Sequence, residues 1–347
     1  MSAPKQVLVA MSGGVDSSVA AALLVERGYD VTGVTLRLWG GDSDSGCCAV
    51  SDVEDARRVA AQLGVPHYVF NLSEQFEHVV VDPYVADYAA GRTPNPCVEC
   101  NRSIKFGRLL ERADAMGFDA IATGHHARVE RVGNGWSLRR GADPAKDQSY
   151  VLYMLGQREL GRVLLPVGEM TKAEVRTHAA RLGLRTAAKA ESMDVCFITR
   201  REGRERFLAD RAPARPGAVV DAASGAVVGR HDGVGGFTVG QRRGIGVAAG
   251  ERRYVVDLDA STATVTIGTH HDLLRDSVTL RGVTFVDGAP CASDRLMAQV
   301  RAHGAPVAGR LDGDVVRFEQ PQPRVAPGQV VALYDGDALL GGGLAAA

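Results

Sequence analysis

The stretch Val7-Leu8-Val9-Ala10-Met11-Ser12-Gly13-Gly14-Val15-Asp16-Ser17-Ser18 decides the fold. Its apolar half has no polar alternation, which predicts a parallel strand buried on both faces. The residues after it, Val19-Ala20-Ala21-Ala22-Leu23-Leu24-Val25-Glu26-Arg27, have helical composition and stop at Gly28. Strand, glycine-rich turn and helix follow in that order. Such a turn offers backbone N–H groups and a helix N-terminus to an anion. Gly13 and Gly14 permit positive φ and close approach of a phosphate. Ser12, Ser17 and Ser18 add hydroxyls. Asp16 beside phosphates calls for a cation between them, and Mg²⁺ is the obvious one. A serine-rich turn with an N-cap is the plain structural alternative. No Gly-Lys-Ser/Thr follows, so this is not a Walker A loop, nor is it G-x-G-x-x-G.

Working outward, strands are expected at Asp30–Leu38, Val65–Phe70 and Asp119–Thr123. Helices are expected from Asp52 to Leu63, over about Ser73–Ala90 with a break at Pro83, from an Asn101 cap to Met116, and from Thr171 to Gly183. Asn134-Gly135 marks a hairpin inside Val129–Arg140. A short apolar helix is expected over Tyr150–Leu155, and Glu191–Ile198 reads as a loop entering a strand. Alternating strands and helices predict an α/β, doubly wound parallel sheet. From about Gly203 helical periodicity disappears. Short β-branched runs take over, such as Ala218–Val220, Gly236–Val239 and Tyr254–Val256, then a second set from Asp276 onward. The reading is three units. Residues 1–202 form the doubly wound domain, 203–274 a small β domain, and 275–347 a β-barrel. The Ala345–Ala347 end reads as a frayed tail.

The chain has 347 residues, a net charge of −1 and 45% apolar residues. That is the composition of an ordinary globular protein, and the balanced charge does not advertise nucleic acid by itself. No apolar run reaches membrane-spanning length, and Met1–Lys5 is too short for a leader, so a cytoplasmic protein is expected; a monomer is expected as well. Six cysteines in such a chain argue against a disulfide scaffold. Cys97-x-x-Cys100 lacks the second pair that structural zinc needs. Its position at a helix start lends thiolate character, which suits a nucleophile, although two buried thiols is the plain alternative. Cys196 stands alone. Beside the loop and the first pair it could carry sulfur as a persulfide that another cysteine attacks. Cys47, Cys48 and Cys291 read as structural. His125 and His126 end a strand on the side where such sheets bind ligands. Lys146-Asp147-Gln148 and Gly240–Gly246 could each touch phosphate or be solvated turns, and the arginines of 200–215 read as a solvated helix face that could also touch RNA backbone.

The loop resembles the PP-loop of the ATP pyrophosphatases, which split ATP between the α and β phosphates. Further motifs agree on one family. Ser12–Ser18, Thr93–Asn101, Ala122–His125, Lys146–Tyr150, Asp194–Ile198, Gly236–Gly246 and Pro327-Gly328-Gln329 with Gly341–Gly343, in that order, resemble the tRNA-specific 2-thiouridylases. The resemblance covers nearly the whole chain. It implies that ATP activates O2 of the wobble uridine and that sulfur replaces this oxygen. It places ATP on Ala10, Met11, Ser12, Gly13, Gly14, Val15, Asp16 and Ser17, with Leu36 and Gly124 near the nucleoside. Cys100 matches the nucleophile and Cys196 the persulfide carrier, and the two would end as a disulfide. Asn95, Pro96 and Cys97 would meet the base. His125, Lys146, Asp147, Gln148, Arg301 and Gln329 match positions that contact tRNA. A cysteine desulfurase or sulfur relay is the implied donor.

One position departs from the family. Cys97 stands where many members carry Asp, and a thiol is the poorer acid/base at neutral pH. Cys97, Cys100 and Cys196 together could also hold three irons of a [4Fe–4S] cluster. Two other readings are a PP-loop amidotransferase or synthetase acting on a small molecule, and a tRNA-binding protein that has lost catalysis.

Overall fold

Strand Gln6–Ala10 lies at the centre of a five-stranded parallel sheet. The order across it is His67–Asn71, Asp30–Arg37, Gln6–Ala10, Ala120–Ala122 and Val163–Leu164. Val7, Leu8 and Val9 are fully buried. Because successive side chains alternate faces, Leu8 joins one hydrophobic cluster while Val7 and Val9 join another. The unbroken apolar run is therefore what a strand covered on both sides requires. The computed structural model describes residues 5–39, 50–190, 195–198, 203–247, 251–290, 295–302 and 304–346. Cys47, Cys48 and Cys291 lie outside them.

From the central strand the chain crosses first to Asp30–Arg37 on one side and later to Ala120–Ala122 on the other. A crevice opens where those crossovers diverge, at the C-terminal strand ends. Asp16 and Ser17 meet Gly124 and His126 there.

Several elements differ from the sequence expectation. The helical stretch 73–89 is not broken at Pro83. It runs through a π segment, Glu77–Val81, into Asp82–Ala89, and Pro83 sits in the first turn of that last piece, where it needs no N–H. The next helix starts at Pro96 rather than at Asn101, and Asn95 is its cap. It continues as a π segment, Cys100–Arg108, and as Leu109–Ala115. Asn101 is buried inside it and donates from Nδ2 to the Val151 carbonyl at 3.0 Å. Helix Val50–Leu63 begins before Asp52. Residues 149–152 form only a 3₁₀ turn, and Val195–Ile198 is a turn, not a strand.

The second unit begins with helix Gly203–Ala209, past the point where helical periodicity was expected to end. Phe207 and Leu208 bury against the first domain and hold it. Strands Gly217–Asp221, Val227–His231, Tyr254–Asp259 and Thr264–Gly268 follow as a four-stranded sheet, while Gly236–Val239, expected as a strand, forms none: Gly236 ends a 3₁₀ turn that starts at Val234. The third unit is a closed six-stranded barrel. Strand Leu274–Phe285 pairs with both Val315–Pro323 and Ala338–Ala345, which closes the ring. Ala345 is therefore no frayed tail. It is fully buried and registers with Leu280.

The hairpin Ala127–Val132/Gly135–Arg140 of the first domain extends the barrel sheet, with Leu138 opposite Leu339 and Arg139 opposite Ala338. One hydrophobic cluster runs through both, joining Tyr150, Tyr153 and Leu138 to Val330, Tyr334 and Leu339. Arg128 and Arg139 each reach a carboxylate oxygen of Asp337 at 2.6 Å. Shared core and ion pairs fix the barrel against the site domain.

Candidate active site at the end of the parallel sheet

The loop after the central strand is internally braced. Gly14 is extended and caps helix Val15–Glu26. Ser18 Oγ donates to the Gly14 carbonyl at 2.8 Å, and the Ser12 N–H donates to Ser17 Oγ at 3.1 Å. Met11 is tied to the next strand through its N–H on Val34 O and its carbonyl accepting from Thr35 Oγ1, both 2.8 Å. Gly13 has φ +72°, and a Cβ there would meet the Asp52 carbonyl at 2.2 Å. Across the crevice, a Cβ on Gly124 would sit 2.6 Å from Ser17 N and 2.7 Å from Asp16 C. Two backbones thus meet where only hydrogen fits. Ala10 to Ser17 and Gly124 come together in one place. Leu36 is buried on the adjoining strand.

The loop has no lysine of its own, and the fold brings two. Lys172, the first residue of helix Lys172–Arg181, sets Nζ 2.7 Å from both oxygens of Asp16. His126 Nε2 is 3.1 Å from Asp16 Oδ1. Burial pushes the Asp16 carboxyl up, but the His126 bond and the Lys172 ammonium outweigh it and hold it below the usual carboxylate range. Lys189 donates to the Gly13 carbonyl at 3.0 Å and to Asp52 and Asp55 at 2.5 and 2.6 Å. Burial disfavours its charge, yet the two carboxylates raise its pKa above the ordinary lysine value. Neither lysine was singled out in the sequence. The available signal was indirect: a lone Asp16 in a loop without a cation. His125 is buried against Phe106, with Nδ1 2.7 Å from Thr123 Oγ1. Burial, then Lys105, hold its pKa well below that of a free imidazole.

Beside this pocket, the Asn95 side chain accepts from the Cys97 N–H at 3.1 Å and caps the helix that carries both Cys97 and Cys100. Cys97 is exposed, and Cys100 is buried at the start of the π segment. Cys196 is half-buried and packs on the same core as Cys100. Its neighbour Phe197 is locked edge-on against Tyr84 and Phe76, at 5.3 and 5.7 Å between centroids. Burial lifts the Tyr84 hydroxyl far above its ordinary pKa, with Tyr88 and the nearby Cys97 adding to the rise. Aromatic packing therefore brings the Cys196 turn to the side of the core that holds Cys97 and Cys100. All three cysteines are thiols in the structure. Among the described residues no three His, Cys, Asp or Glu side chains gather closely enough to hold a metal. The three thiols do not fit an iron–sulfur cluster in this arrangement.

The other expected contacts fall into two groups. Asp147 is nearly enclosed: Oδ1 accepts from the Gly141 and Ser149 N–H groups, and Oδ2 from Arg140 Nη1 at 2.8 Å and Ser149 Oγ at 3.0 Å. Arg140 also reaches Gln299 Oε1 at 2.7 Å and lies 3.7 Å over the Tyr334 ring of the barrel. Gln148 Oε1 accepts from the His126 N–H at 2.9 Å. Arg301 is exposed beside Gly240, and Lys146 and Gln329 are partly exposed. No helix among the described residues is long and apolar enough to cross a membrane.

The chain has relatives among known proteins. Family models described as the tRNA methyl transferase HUP domain, the tRNA methyl transferase PRC-barrel domain and the aminomethyltransferase beta-barrel domain match residues 5–200, 205–269 and 275–345. A tRNA-specific 2-thiouridylase of Roseiflexus sp. (strain RS-1) is 48% identical, over 97% of this chain and 98% of that one. The chain belongs to the tRNA-specific 2-thiouridylase family. Family members from Geobacter metallireducens, 45% identical over 98% and 96% of the two chains, and Mycolicibacterium paratuberculosis, 48% identical over 97% of each, match as completely. Among solved structures, a 4-thiouridine synthetase–RNA complex with bound ATP aligns at TM-score 0.38 and 20% identity, over 55% of this chain and 44% of that one.

Proposed function

We propose that this 2-thiouridylase family member replaces O2 of the wobble uridine of tRNA with sulfur, using ATP. One observation carries the reading: Cys100 and Cys196 pack on one hydrophobic core, in a domain whose central strand ends in a glycine-rich loop at a helix N-terminus. ATP phosphates lie along residues 10–17, with the nucleoside toward Leu36 and Gly124. Asp16 is the carboxylate that would hold Mg²⁺ once Lys172 gives way, and the ion would offset charge on the departing pyrophosphate. The uridine leaves its stack and enters beside Asn95-Pro96-Cys97. His125, Lys146, Asp147, Gln148, Arg301 and Gln329 lie along the tRNA path, directly or by shaping its floor.

In the proposed reaction, O2 attacks the α-phosphorus, forming a C2–O–AMP linkage and releasing pyrophosphate. Backbone N–H groups stabilise the charge that develops. The outer sulfur of a Cys196 persulfide, charged by a cysteine desulfurase or sulfur relay, bonds to C2 and AMP leaves. The Cys100 thiolate attacks Cys196 Sγ. The sulfane S–S bond breaks, the reduced sulfur stays on the base, and a Cys100–Cys196 disulfide forms. An external dithiol reductant returns both thiols. Cys196→Ala and Cys100→Ser should each abolish thiolation of tRNA while leaving tRNA binding intact. Full thiolation by either variant would overturn the reading.

A further inference from the structure

The loop that precedes Cys100 is held by the far end of the chain. The Thr93 N–H donates to the Pro327 carbonyl, and Gln329 Nε2 donates to the Thr93 carbonyl, both at 2.7 Å. Both backbone polar groups of Thr93 are thus taken by one turn of the C-terminal barrel. Its own hydroxyl is buried with no partner, so these two bonds do the holding.

That turn is itself rigid. The Gly328 N–H donates to Ala345 O at 2.9 Å, and the Ala345 N–H donates back to Gln329 O at 2.8 Å. Gly328 has φ +87°, and a Cβ there would lie 3.4 Å from Thr93 N and C. The turn is in van der Waals contact with the loop, and its positive φ favours glycine at position 328.

Between Thr93 and the cysteines the backbone has little freedom. Pro94 and Pro96 fix their own φ, and each confines the residue before it to extended conformations. Asn95 is extended, at φ −104° and ψ 100°, and caps the helix through the Cys97 N–H. A shift at Thr93 therefore passes to the Asn95 cap instead of being absorbed on the way.

We propose that Gln329 is a positioning residue for the nucleophile: its amide, acting through Thr93 and the Pro94-Asn95-Pro96 segment, sets the pose of the helix that carries Cys100. This deepens the reading of Cys100 as the nucleophile and rests on it. Gln329 then has a task in the RNA-free enzyme, separate from the tRNA contact that its position implies. A barrel displaced by bound RNA would move the active-site loop through the same bonds.

The test reads the thiols directly, in protein without ATP or tRNA, so its outcome is separable from that of the thiolation assay. Iodoacetamide alkylation of the full chain is followed by peptide mass mapping. Gln329→Met keeps the side chain's length and removes its donor. It should raise the alkylation rate of buried Cys100 by about three- to tenfold, the range that one net hydrogen bond spans. Exposed Cys97 should react as in the wild type. Gln329→Lys, which restores an N–H donor, should return Cys100 toward the wild-type rate. Equal Cys100 rates in wild type and Gln329→Met, or no rescue by Gln329→Lys, would overturn the proposal. Native-state hydrogen exchange needs no variant: the Thr93 amide should be protected, and free exchange there would also overturn it.

Discussion

Lys172 Nζ stands 2.7 Å from each oxygen of Asp16, although the two residues are 156 positions apart. The pairing answers a question that the loop sequence poses. A glycine-rich anion loop with a carboxylate and no lysine would repel the ligand it is shaped to receive. The fold corrects this by delivering the first residue of a distant helix, while His126 shares the same carboxylate. Lys189 does something different. It is committed to three acceptors at once, one of them the Gly13 carbonyl, so it shapes the loop, whereas Lys172 Nζ faces the Asp16 carboxylate.

Lys172→Met should leave Asp16 partly buried with His126 alone. The expected loss is about 1–3 kcal/mol of unfolding free energy at neutral pH, measured by urea denaturation. The sign with pH follows from the depressed carboxyl pKa. Stability from the pair is present above the unfolded value of about 3.9 and is lost as pH falls through the folded value. The wild type and Lys172→Met should therefore converge once pH falls below the folded value. A gap that widens there would show that the ion pair is not its source.

Gly124→Ala should damage the nucleotide loop more than its size suggests. Its new methyl would press on Ser17 N and Asp16 C, which are backbone atoms that cannot rotate away. Overpacking of this kind costs about 1–3 kcal/mol, and ATP binding, followed by calorimetry, should weaken with it. Gly236→Ala is the comparison: nothing lies within 4 Å of its added Cβ, so its effect should stay within about 0.5 kcal/mol.

The loop and its sheet were legible because their signal is local. An apolar run, two glycines and an alanine-rich helix sit next to each other, and the switch point follows from the order of strands. The hairpin at Asn134-Gly135 was legible for the same reason. Its docking on the barrel was not, because Leu339 lies two hundred residues further on and nothing near Leu138 encodes that register. The burial of Asn101 and the capping by Asn95 exchanged roles. Both precede helical residues, and only tertiary packing against Val151 decides which is inside. Lys146-Asp147-Gln148 read as a polar cluster, either a phosphate contact or a solvated turn. Asp147 proved to be the acceptor that organises it, since Arg140, its partner, is held by the barrel as well.

Asp147→Ala should therefore act on the joint between domains. Four donors would lose their acceptor, and the Arg140 guanidinium would keep only Gln299 and the Tyr334 ring. Removing one partner of an enclosed pair costs about 2–4 kcal/mol. Asp147→Asn keeps an acceptor for the two backbone N–H groups and should cost about half as much. Urea denaturation of the two variants separates these outcomes, and equal effects would mean that the charge alone matters.

His125 gives the chain a stability loss on mild acidification. Its ring is buried against Phe106, and burial together with the Lys105 charge depresses its folded pKa well below 6.5. Between the folded and unfolded values the unfolded chain binds the extra proton, so stability rises with pH in that window. The contribution is complete above about pH 6.5 and falls by at most about 1.4 kcal/mol for each unit below it. His67 is depressed in the same direction by burial and Arg57, so the wild-type slope contains both residues. His125→Asn removes one of them while keeping a polar atom toward Thr123. Unfolding free energies at about pH 7.5 and about pH 5.5 should differ less in His125→Asn than in the wild type. An unchanged difference would mean that His125 takes up its proton in the folded state, which its enclosure by Phe106 and Thr123 argues against.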